Sequence, residues 1–179
     1  LTDYKVLVLA VDENYVNKTF QSLMTDEENK ELKFKDDIVK IIGCWNGLAK
    51  KTLQQEDGEE LDLSPMKRAV AFTNTIANSK LITQMFSKVV DKYVENNGDE
   101  GVLFCQTDHV DGSINSLQRN KKIDWLKESP ENNSCKILTN ARCLSEGVDV
   151  PALDGVMFLN PRNSEIDVVQ SVGRVMRLA

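Results

Sequence analysis

Four short apolar runs alternate with amphipathic stretches over the last two-thirds of the chain. The runs are typical of buried strands and lie at Ala69–Thr73, Gly101–Cys105, Cys135–Thr139 and Gly155–Leu159. Apolar residues at helical spacing follow in Leu81–Tyr93, Ile114–Lys127 and Glu165–Leu178. Strands and helices that alternate in this way form a parallel sheet with helices on both faces. The sequence therefore predicts a three-layer α/β fold, in which ligands bind at the carboxyl ends of the strands.

The first 65 residues carry a less regular pattern. Tyr4–Val11 is a short apolar run that predicts a strand, and the apolar positions of Phe34–Ala49 predict a helix with one apolar face. Gln54–Ser64 is rich in carboxylates and reads as a solvated connector. We therefore divide the chain into residues 1–65, an N-terminal strand, helices and acidic connector, and residues 66–179, the regular α/β domain.

The composition excludes several function classes. With 22 basic and 28 acidic residues the net charge is −6, so bulk positive charge cannot hold a nucleic acid. Four dispersed cysteines and a single histidine do not predict a metal site, and such thiols fit a reducing, cytoplasmic location. No apolar stretch approaches the ~18–20 residues of a membrane span. Because the chain opens without a start methionine or a signal peptide, we expect it to be a piece of a longer protein.

In the predicted last helix, the polar and the apolar residues lie on opposite faces. Its polar positions are Gln170, Gly173, Arg174 and Arg177, which share one face at i, i+3, i+4 and i+7. Two arginines one turn apart, with no carboxylate on that face, form a cationic surface suited to a phosphate. A solvated basic helix is the alternative interpretation, and the spacing alone does not separate the two.

A second polar segment directly follows the predicted strand Cys135–Thr139. Thr139 lies where a hydroxyl and free N–H groups can meet a phosphate. Gly147 permits a close backbone approach, and Asp149 can accept a hydrogen bond from a ribose hydroxyl. An ordinary connection with a glycine turn is the alternative interpretation.

Taken together, the two segments resemble motifs V and VI of the second RecA-like motor domain of superfamily 2 helicases and translocases. Thr139–Pro151 is similar to motif V and Gln170–Arg177 to motif VI, in the family's order. Ala69–Thr75 is similar to motif IV, and His109–Gly112 followed by Arg119 is similar to the family's strand–HG–helix segment. The resemblance covers roughly residues 66–179. Gln170 at the head of motif VI and the Glu-Gly-Val-Asp form of motif V look more like DNA motors, such as excision-repair helicases and restriction-enzyme motor subunits, than RNA helicases.

The resemblance implies that ATP and Mg²⁺ bind between this domain and a first RecA-like domain of the same parent chain. That first domain would supply the phosphate-binding loop and the metal ligands, because no G-x-x-x-x-G-K-[ST] occurs in this chain. Arg174 and Arg177 would stabilise the charge that develops during phosphoryl transfer. Gln170, Gly173, Gly147 and Asp149 would line the nucleotide, and the isolated chain would not hydrolyse ATP.

The resemblance also implies a nucleic-acid surface across the same edge of the sheet. Its candidates are Thr73, Asn74, Thr75, Arg119 and Thr139, which would contact the sugar–phosphate backbone. DNA is the favoured partner. An RNA helicase domain and a non-catalytic RecA-like docking module are the alternatives, whereas a Rossmann enzyme is excluded because no G-x-G-x-x-G follows the first strand. Asp12 and Glu13 imitate a metal-binding acidic pair, but we interpret them as the first turn of a helix.

Overall fold

A computed structural model describes residues 11–25, 35–51, 63–98, 102–141, 143–144, 153–160, 164, 168 and 172. Within these ranges two helices precede the sheet, α1 (Glu13–Met24) and α2 (Lys35–Leu48). The remaining elements follow in the order β1 (Arg68–Phe72), α3 (Ile76–Asn97), β2 (Phe104–Val110), α4 (Ser116–Lys127), β3 (Ser134–Asn140) and β4 (Gly155–Phe158). The four strands pair in parallel in the order β2-β3-β1-β4.

The alternation of side chains along the strands divides the core into two layers. Ala69 and Ala71 of β1 pack under α1, α2 and α3, together with Ile137 of β3. Val70 and Phe72 point to the opposite face, where they pack with Leu126 of α4. Both faces of the sheet are therefore covered by helices, and the predicted three-layer α/β fold is confirmed.

The helices α1 and α2 share the core of the sheet. The indole nitrogen of Trp45 donates a hydrogen bond to the carbonyl of Leu103, at 3.0 Å. Tyr93 of α3 makes edge contacts with Trp45 and with Tyr15 of α1, at ring-centroid distances of 5.8 and 6.4 Å. The division of the chain after residue 65 stays a prediction, but residues on both sides of it build one hydrophobic cluster.

The start of α1 confirms the structural interpretation of the first acidic pair. Asp12 is the N-cap, and its carboxylate accepts a hydrogen bond from the backbone N–H of Asn14 at 2.8 Å. Glu13 occupies the first turn, where a negative charge interacts favourably with the helix dipole.

Two buried cationic side chains donate hydrogen bonds to the carbonyl groups at the C-terminal end of α4. Arg68 donates to the carbonyls of Leu126 and Lys127 at 3.1 and 3.0 Å. Its neighbour in the sheet, Lys136, donates to the carbonyl of Trp125 at 2.9 Å. The last carbonyls of a helix have no partner within the helix, and positive charge is favourable there. These two side chains therefore fix the end of α4 to the amino ends of β1 and β3.

The predicted strand Gly101–Cys105 is wrong in its position. The strand begins at Phe104 and continues to Val110, so its last five residues lie beyond the predicted run. β2 lies at one edge of the sheet that the described strands form, and Phe104 and Gln106 are exposed on it. The polar residues Thr107 and His109 make hydrogen bonds to α3 rather than to solvent. The apolar pattern therefore did not mark this strand.

Several predicted elements lie wholly or largely outside the described residues. These are the strand Tyr4–Val11, of which only Val11 is described, the connector Gln54–Ser64, and the last helix Glu165–Leu178. Val168 and Val172 of that last segment are helical and half-buried, and the N–H of Val168 donates to the carbonyl of Ser164 at 3.3 Å.

Candidate functional site

The polar residues gather where the four strands end. We call this region the carboxyl edge and define it by Thr73–Thr75, Asp111–Ser113, Thr139–Ala141 and Leu159–Asn160. Parallel strands bring all their carboxyl ends to one side of a sheet, so residues far apart in sequence meet there. Three of its turns carry the hydrogen bonds that define the site.

The turn after β1 presents polar groups at the start of α3. Thr75 is the N-cap of α3, and its hydroxyl accepts a hydrogen bond from the N–H of Asn78 at 3.1 Å. Asn74 is exposed, and its N–H donates to the side-chain oxygen of Asn160 at 3.1 Å. Asn78 donates from its amide to the side-chain oxygen of Asn74 at 2.9 Å. Asn74 and Thr75 are therefore exposed and held in place, as a surface for a polar ligand requires.

Thr73 lies beneath this turn rather than on it. Its residue is 3% exposed, and its hydroxyl lies 3.2 Å from the carbonyl oxygen of Asn140 and 3.0 Å from that of Thr75. Its backbone N–H also donates to the Asn140 carbonyl, at 2.9 Å. Thr73 thus joins the end of β1 to the end of β3.

The end of β3 is fully buried. The hydroxyl of Thr139 lies 2.9 Å from the hydroxyl of Ser79 and 2.6 Å from that of Thr83, both on α3. Asn140 donates from its side chain to the carbonyl of Ala71 at 3.1 Å and accepts from the N–H of Leu144 at 3.4 Å. The hydroxyl of Thr139 faces α3, and the first turn of the motif V segment is anchored by Asn140.

The turn after β2 is organised by a buried carboxylate. Asp111 accepts hydrogen bonds from the N–H of Ser113 at 2.7 Å and from the Ser113 hydroxyl, and its other oxygen lies 2.8 Å from Nε2 of His109. The ammonium group of Lys80 is 3.6 Å away. The hydrogen bonds from Ser113 and His109 hold the pKa of the Asp111 carboxyl well below its usual range. Asp111 is therefore ionised and locks the turn to β2 and α3.

Arg119 lies on α4 beside the motif V segment. It is half-buried, and its Nε is enclosed without a hydrogen-bond partner among the residues that the structure describes. Burial raises the pKa of the Cys143 thiol to about 11, and the nearby Arg119 guanidinium acts in the opposite direction. Arg119 is therefore a cation close to the end of β3 with an unused donor.

Six predicted site residues lie outside the described ranges. They are Gly147, Asp149, Gln170, Gly173, Arg174 and Arg177. In the described ranges, no three histidine, cysteine, aspartate or glutamate side chains come together as metal ligands. No helix within those same ranges has the length and apolar character to cross a membrane.

Sequence reasoning missed several residues that organise the carboxyl edge. Ser79 and Thr83 interrupt an otherwise apolar helix face at i, i+4 spacing, and this pattern was the available signal. Asn140 directly follows Thr139, yet its role depends on the neighbouring strand β1 and had no signature in the local sequence. Asn160 lies two residues after the end of β4 and contacts Asn74, a pairing that the strand order alone creates.

A parallel sheet covered on both faces, with polar residues ordered at its carboxyl edge, defines an α/β domain of the kind that binds ligands where its strands end. The model of the family described as "Helicase conserved C-terminal domain" matches residues 56–179. The chain belongs to this family and has its RecA-like fold, so the resemblance to the second domain of helicases is confirmed.

The chain is similar to one solved structure over nearly its whole length. It is 40% identical to the ATP-dependent Type ISP restriction-modification enzyme LlaBIII bound to DNA, with a TM-score of 0.79. The match covers 99% of this chain and 11% of that enzyme.

Two curated relatives are candidate helicases. One, helicase 22 of Sulfolobus islandicus filamentous virus (isolate Iceland/Hveragerdi), is 30% identical over 91 residues, which are 51% of this chain and 15% of the relative. The other, ATP-dependent helicase IRC3 of Saccharomyces cerevisiae (strain ATCC 204508 / S288c), is 29% identical over 80 residues, 45% of this chain and 11% of the relative. The matches with these two relatives and with LlaBIII span 11–15% of the other protein's length.

Proposed function

We propose that this chain is the second motor domain of an ATP-dependent DNA helicase or translocase. The observation that carries the proposal is the 40% identity, over 99% of the chain, to a restriction-modification enzyme that is described as ATP-dependent and bound to DNA. Membership of the helicase C-terminal family supports the motor activity of the parent protein. The choice of DNA rests on the LlaBIII match and on the form of the two motif-like segments.

On this proposal, the nucleic acid crosses the carboxyl edge. Asn74 and Thr75 would be its exposed contacts at the start of α3, and Arg119 would supply a guanidinium beside the motif V segment. Thr73 and Thr139 would hold the neighbouring turns in position for these contacts, because their own hydroxyls are buried and hydrogen-bonded to neighbouring residues. Contacts of this kind grip the backbone and carry little sequence information.

A domain of net charge −6 can hold a polyanion in this way. The first turn of a helix offers N–H groups that have no partner within the helix, and these groups favour negative charge. The start of α3 lies at the carboxyl edge, with Asn74 and Thr75 beside it. A few hydrogen-bond donors at defined positions can therefore bind the nucleic-acid backbone, although the chain has no excess of basic residues.

ATP would bind between this domain and a first RecA-like domain, which would hold Mg²⁺. Arg174 and Arg177 would face the γ-phosphate, with Gln170 and Gly173 on the same helix face and with Gly147 and Asp149 beside the sugar. Guanidinium groups placed in advance stabilise the charge that develops on the transferred phosphoryl oxygens. The isolated chain would then be inactive, because it contributes only half of the site.

The test measures ATP hydrolysis by the parent protein with DNA, with RNA and without nucleic acid. We expect stimulation by DNA, and we expect Arg177→Ala to reduce the stimulated rate by about 10³-fold or more while ATP still binds. Lys88→Ala, which removes an exposed cation from the middle of α3, is the matched control and should keep the rate of the unchanged protein.

Three outcomes would overturn parts of the proposal. Stimulation by RNA alone would make the chain an RNA helicase domain. A parent protein that neither binds nor hydrolyses ATP would make it a docking module. Arg177→Ala with an unchanged rate would remove that arginine from phosphoryl transfer.

A further inference from the structure

The strand β2 is paired on one side only within the described sheet. It pairs with β3, and in the part of the chain that the structure describes no strand pairs with its other side, which we call the free side. The N–H and carbonyl groups along such an edge form a template for a strand from another molecule. A domain with an exposed edge therefore needs a feature that keeps a second strand away.

The backbone groups of β2 point alternately toward β3 and toward the free side. The N–H of Phe104 donates to the carbonyl of Asn133 at 2.8 Å, so the backbone groups of Phe104 are directed at β3. Neighbouring residues of a strand direct these groups to opposite sides. The N–H and carbonyl groups of Cys105, Thr107 and His109 therefore point to the free side.

Two side chains already bind groups that point to the free side. The Ser87 hydroxyl of α3 donates to the carbonyl of Cys105 at 3.2 Å. The carboxylate of Asp108 accepts from the N–H of His109 at 2.7 Å. We call Ser87 and Asp108 the edge caps. One acceptor and one donor of the free side are therefore occupied before another strand arrives.

The Asp108 cap has a charged partner on α4. The ammonium group of Lys122 contacts the same carboxylate oxygen that accepts from the N–H of His109. Hydrogen bonds to charged groups are stronger than those between neutral groups. The side chains of Lys122 and Asp108 are 30% and 34% exposed, so a strand laid along the edge would remove this ion pair from the water that solvates it. Desolvation of charges is unfavourable, and the ion pair therefore opposes strand addition.

An exposed aromatic side chain makes this edge prone to pairing. Phe104 is 61% exposed at the beginning of β2, and Gln106 is exposed two residues further along on the same face. Exposed apolar side chains on an unpaired edge favour association between sheets. Because the backbone groups of Phe104 are already directed at β3, a second strand would have to pair with the residues that follow it. The edge caps lie at those residues.

We propose that the edge caps Ser87 and Asp108, together with Lys122, prevent β2 from pairing with the β2 strand of a second copy of this chain. The caps occupy backbone groups of the free side, and the ion pair makes it unfavourable to cover that side. Phe104 then stays at the surface without joining two sheets at their edges.

The chain offers a matched control for removal of the Asp108 carboxylate. Asp124 of α4 is paired with Lys127 at 3.9 Å, and its side chain is 72% exposed. Asp108→Ala and Asp124→Ala each remove one carboxylate that is paired with a lysine of α4, and they change the net charge equally. Only Asp108→Ala frees an N–H on the free side of β2.

The experiment measures self-association of the 179-residue chain by sedimentation velocity over a range of concentrations. We expect the double variant Ser87→Ala/Asp108→Ala to associate with a dissociation constant at least about tenfold lower than that of the unchanged chain or of Asp124→Ala. Amide hydrogen exchange at Thr107 and His109 should become slower in the associated form. Equal association of the double variant and the unchanged chain, or an equal change in Asp124→Ala, would overturn the proposal.

A further substitution separates edge pairing from aggregation that follows partial unfolding. Gln106 is exposed on β2, and lysine on an edge strand opposes pairing. Gln106→Lys added to the double variant should restore the weak association of the unchanged chain, whereas aggregation of unfolded chains would persist. Association that persists, or β2 amides that become protected in the unchanged chain as its concentration rises, would contradict the role of the edge caps. The test needs neither ATP nor nucleic acid, so its outcome is independent of the proposed function.

Discussion

Asn140→Ala is the substitution that best tests how the motif V segment is anchored. Asn140 is 0% exposed at the end of β3. Its side chain donates to the carbonyl of Ala71 at 3.1 Å and accepts from the N–H of Leu144 at 3.4 Å. The substitution removes both contacts. It keeps the backbone carbonyl of residue 140, which accepts from the N–H of Thr73.

The magnitude follows from two lost hydrogen bonds: the N–H of Leu144 loses the acceptor that Asn140 provides, and the carbonyl of Ala71 loses a side-chain donor but keeps its place in the β1–β3 ladder. A buried donor or acceptor left without a partner costs about 1–3 kcal/mol. The bond to Leu144 is long and counts at the low end of that range, whereas the bond to Ala71 has ordinary geometry. We therefore expect Asn140→Ala to lower the free energy of unfolding by about 2–4 kcal/mol. For a chain of this size, about 2–4 °C per kcal/mol gives a fall in Tm of about 4–16 °C.

The assay is urea unfolding of the 179-residue chain followed by circular dichroism. The control is Asn132→Ala, which makes the same change at an exposed position and should alter the free energy of unfolding by less than about 0.5 kcal/mol. Asn140→Asp keeps an acceptor for Leu144 but turns an oxygen toward the Ala71 carbonyl, so it should be at least as unstable as Asn140→Ala. An Asn140→Ala variant within 0.5 kcal/mol of the unchanged chain would refute the reasoning.

Two further substitutions test the carboxylate and the cation that fix α4 and its preceding turn. Asp111→Asn should lower the free energy of unfolding by about 1–3 kcal/mol at pH 7, because hydrogen bonds to a charged group are lost. The low pKa of Asp111 means that its stabilisation is complete above the unfolded pKa of about 4 and is lost as the pH falls toward the folded pKa, so urea midpoints of the two proteins should converge only below about pH 4. A difference that stays constant down to pH 2 would contradict this origin. Arg68→Met should lower the free energy of unfolding by about 2–4 kcal/mol, since the carbonyls of Leu126 and Lys127 lose their donors. Amide hydrogen exchange should then become faster in the last turn of α4 than in α3. Equal acceleration in both helices would argue against a capping role.

The sequence predicted α2 and α3 because their pattern is local. Apolar residues at a spacing of three and four mark α2 and α3 without any knowledge of what they pack against. The predicted strands at Ala69–Thr73, Cys135–Thr139 and Gly155–Leu159 match β1, β3 and β4, because these strands carry uninterrupted apolar runs. The edge strand β2 escaped this reasoning, since an edge strand needs fewer apolar residues.

In the candidate site, too, features of the local sequence could be predicted and contacts between distant residues could not. The resemblance to helicase motifs made Asn74, Thr75 and Arg119 candidates, and their contact with nucleic acid stays a prediction. The contacts of Ser79, His109 and Asn140 could not be anticipated from the sequence. Ser79 and His109 lie 30 positions apart, and Asn140 bonds to a carbonyl 69 positions away.

By itself, the amino-acid sequence determined the fold class, because alternating strands and helices are marked by periodicity along one chain. Tertiary structure alone decided which hydroxyls face solvent and which are buried between α3 and the end of β3. The order β2-β3-β1-β4 brings the ends of β2 and β3 together over α3, and no local pattern encodes that neighbourhood. Thr139 illustrates the difference, since its hydroxyl is directed at Ser79 and Thr83 by packing, although its position after an apolar run made it a candidate to contact phosphate.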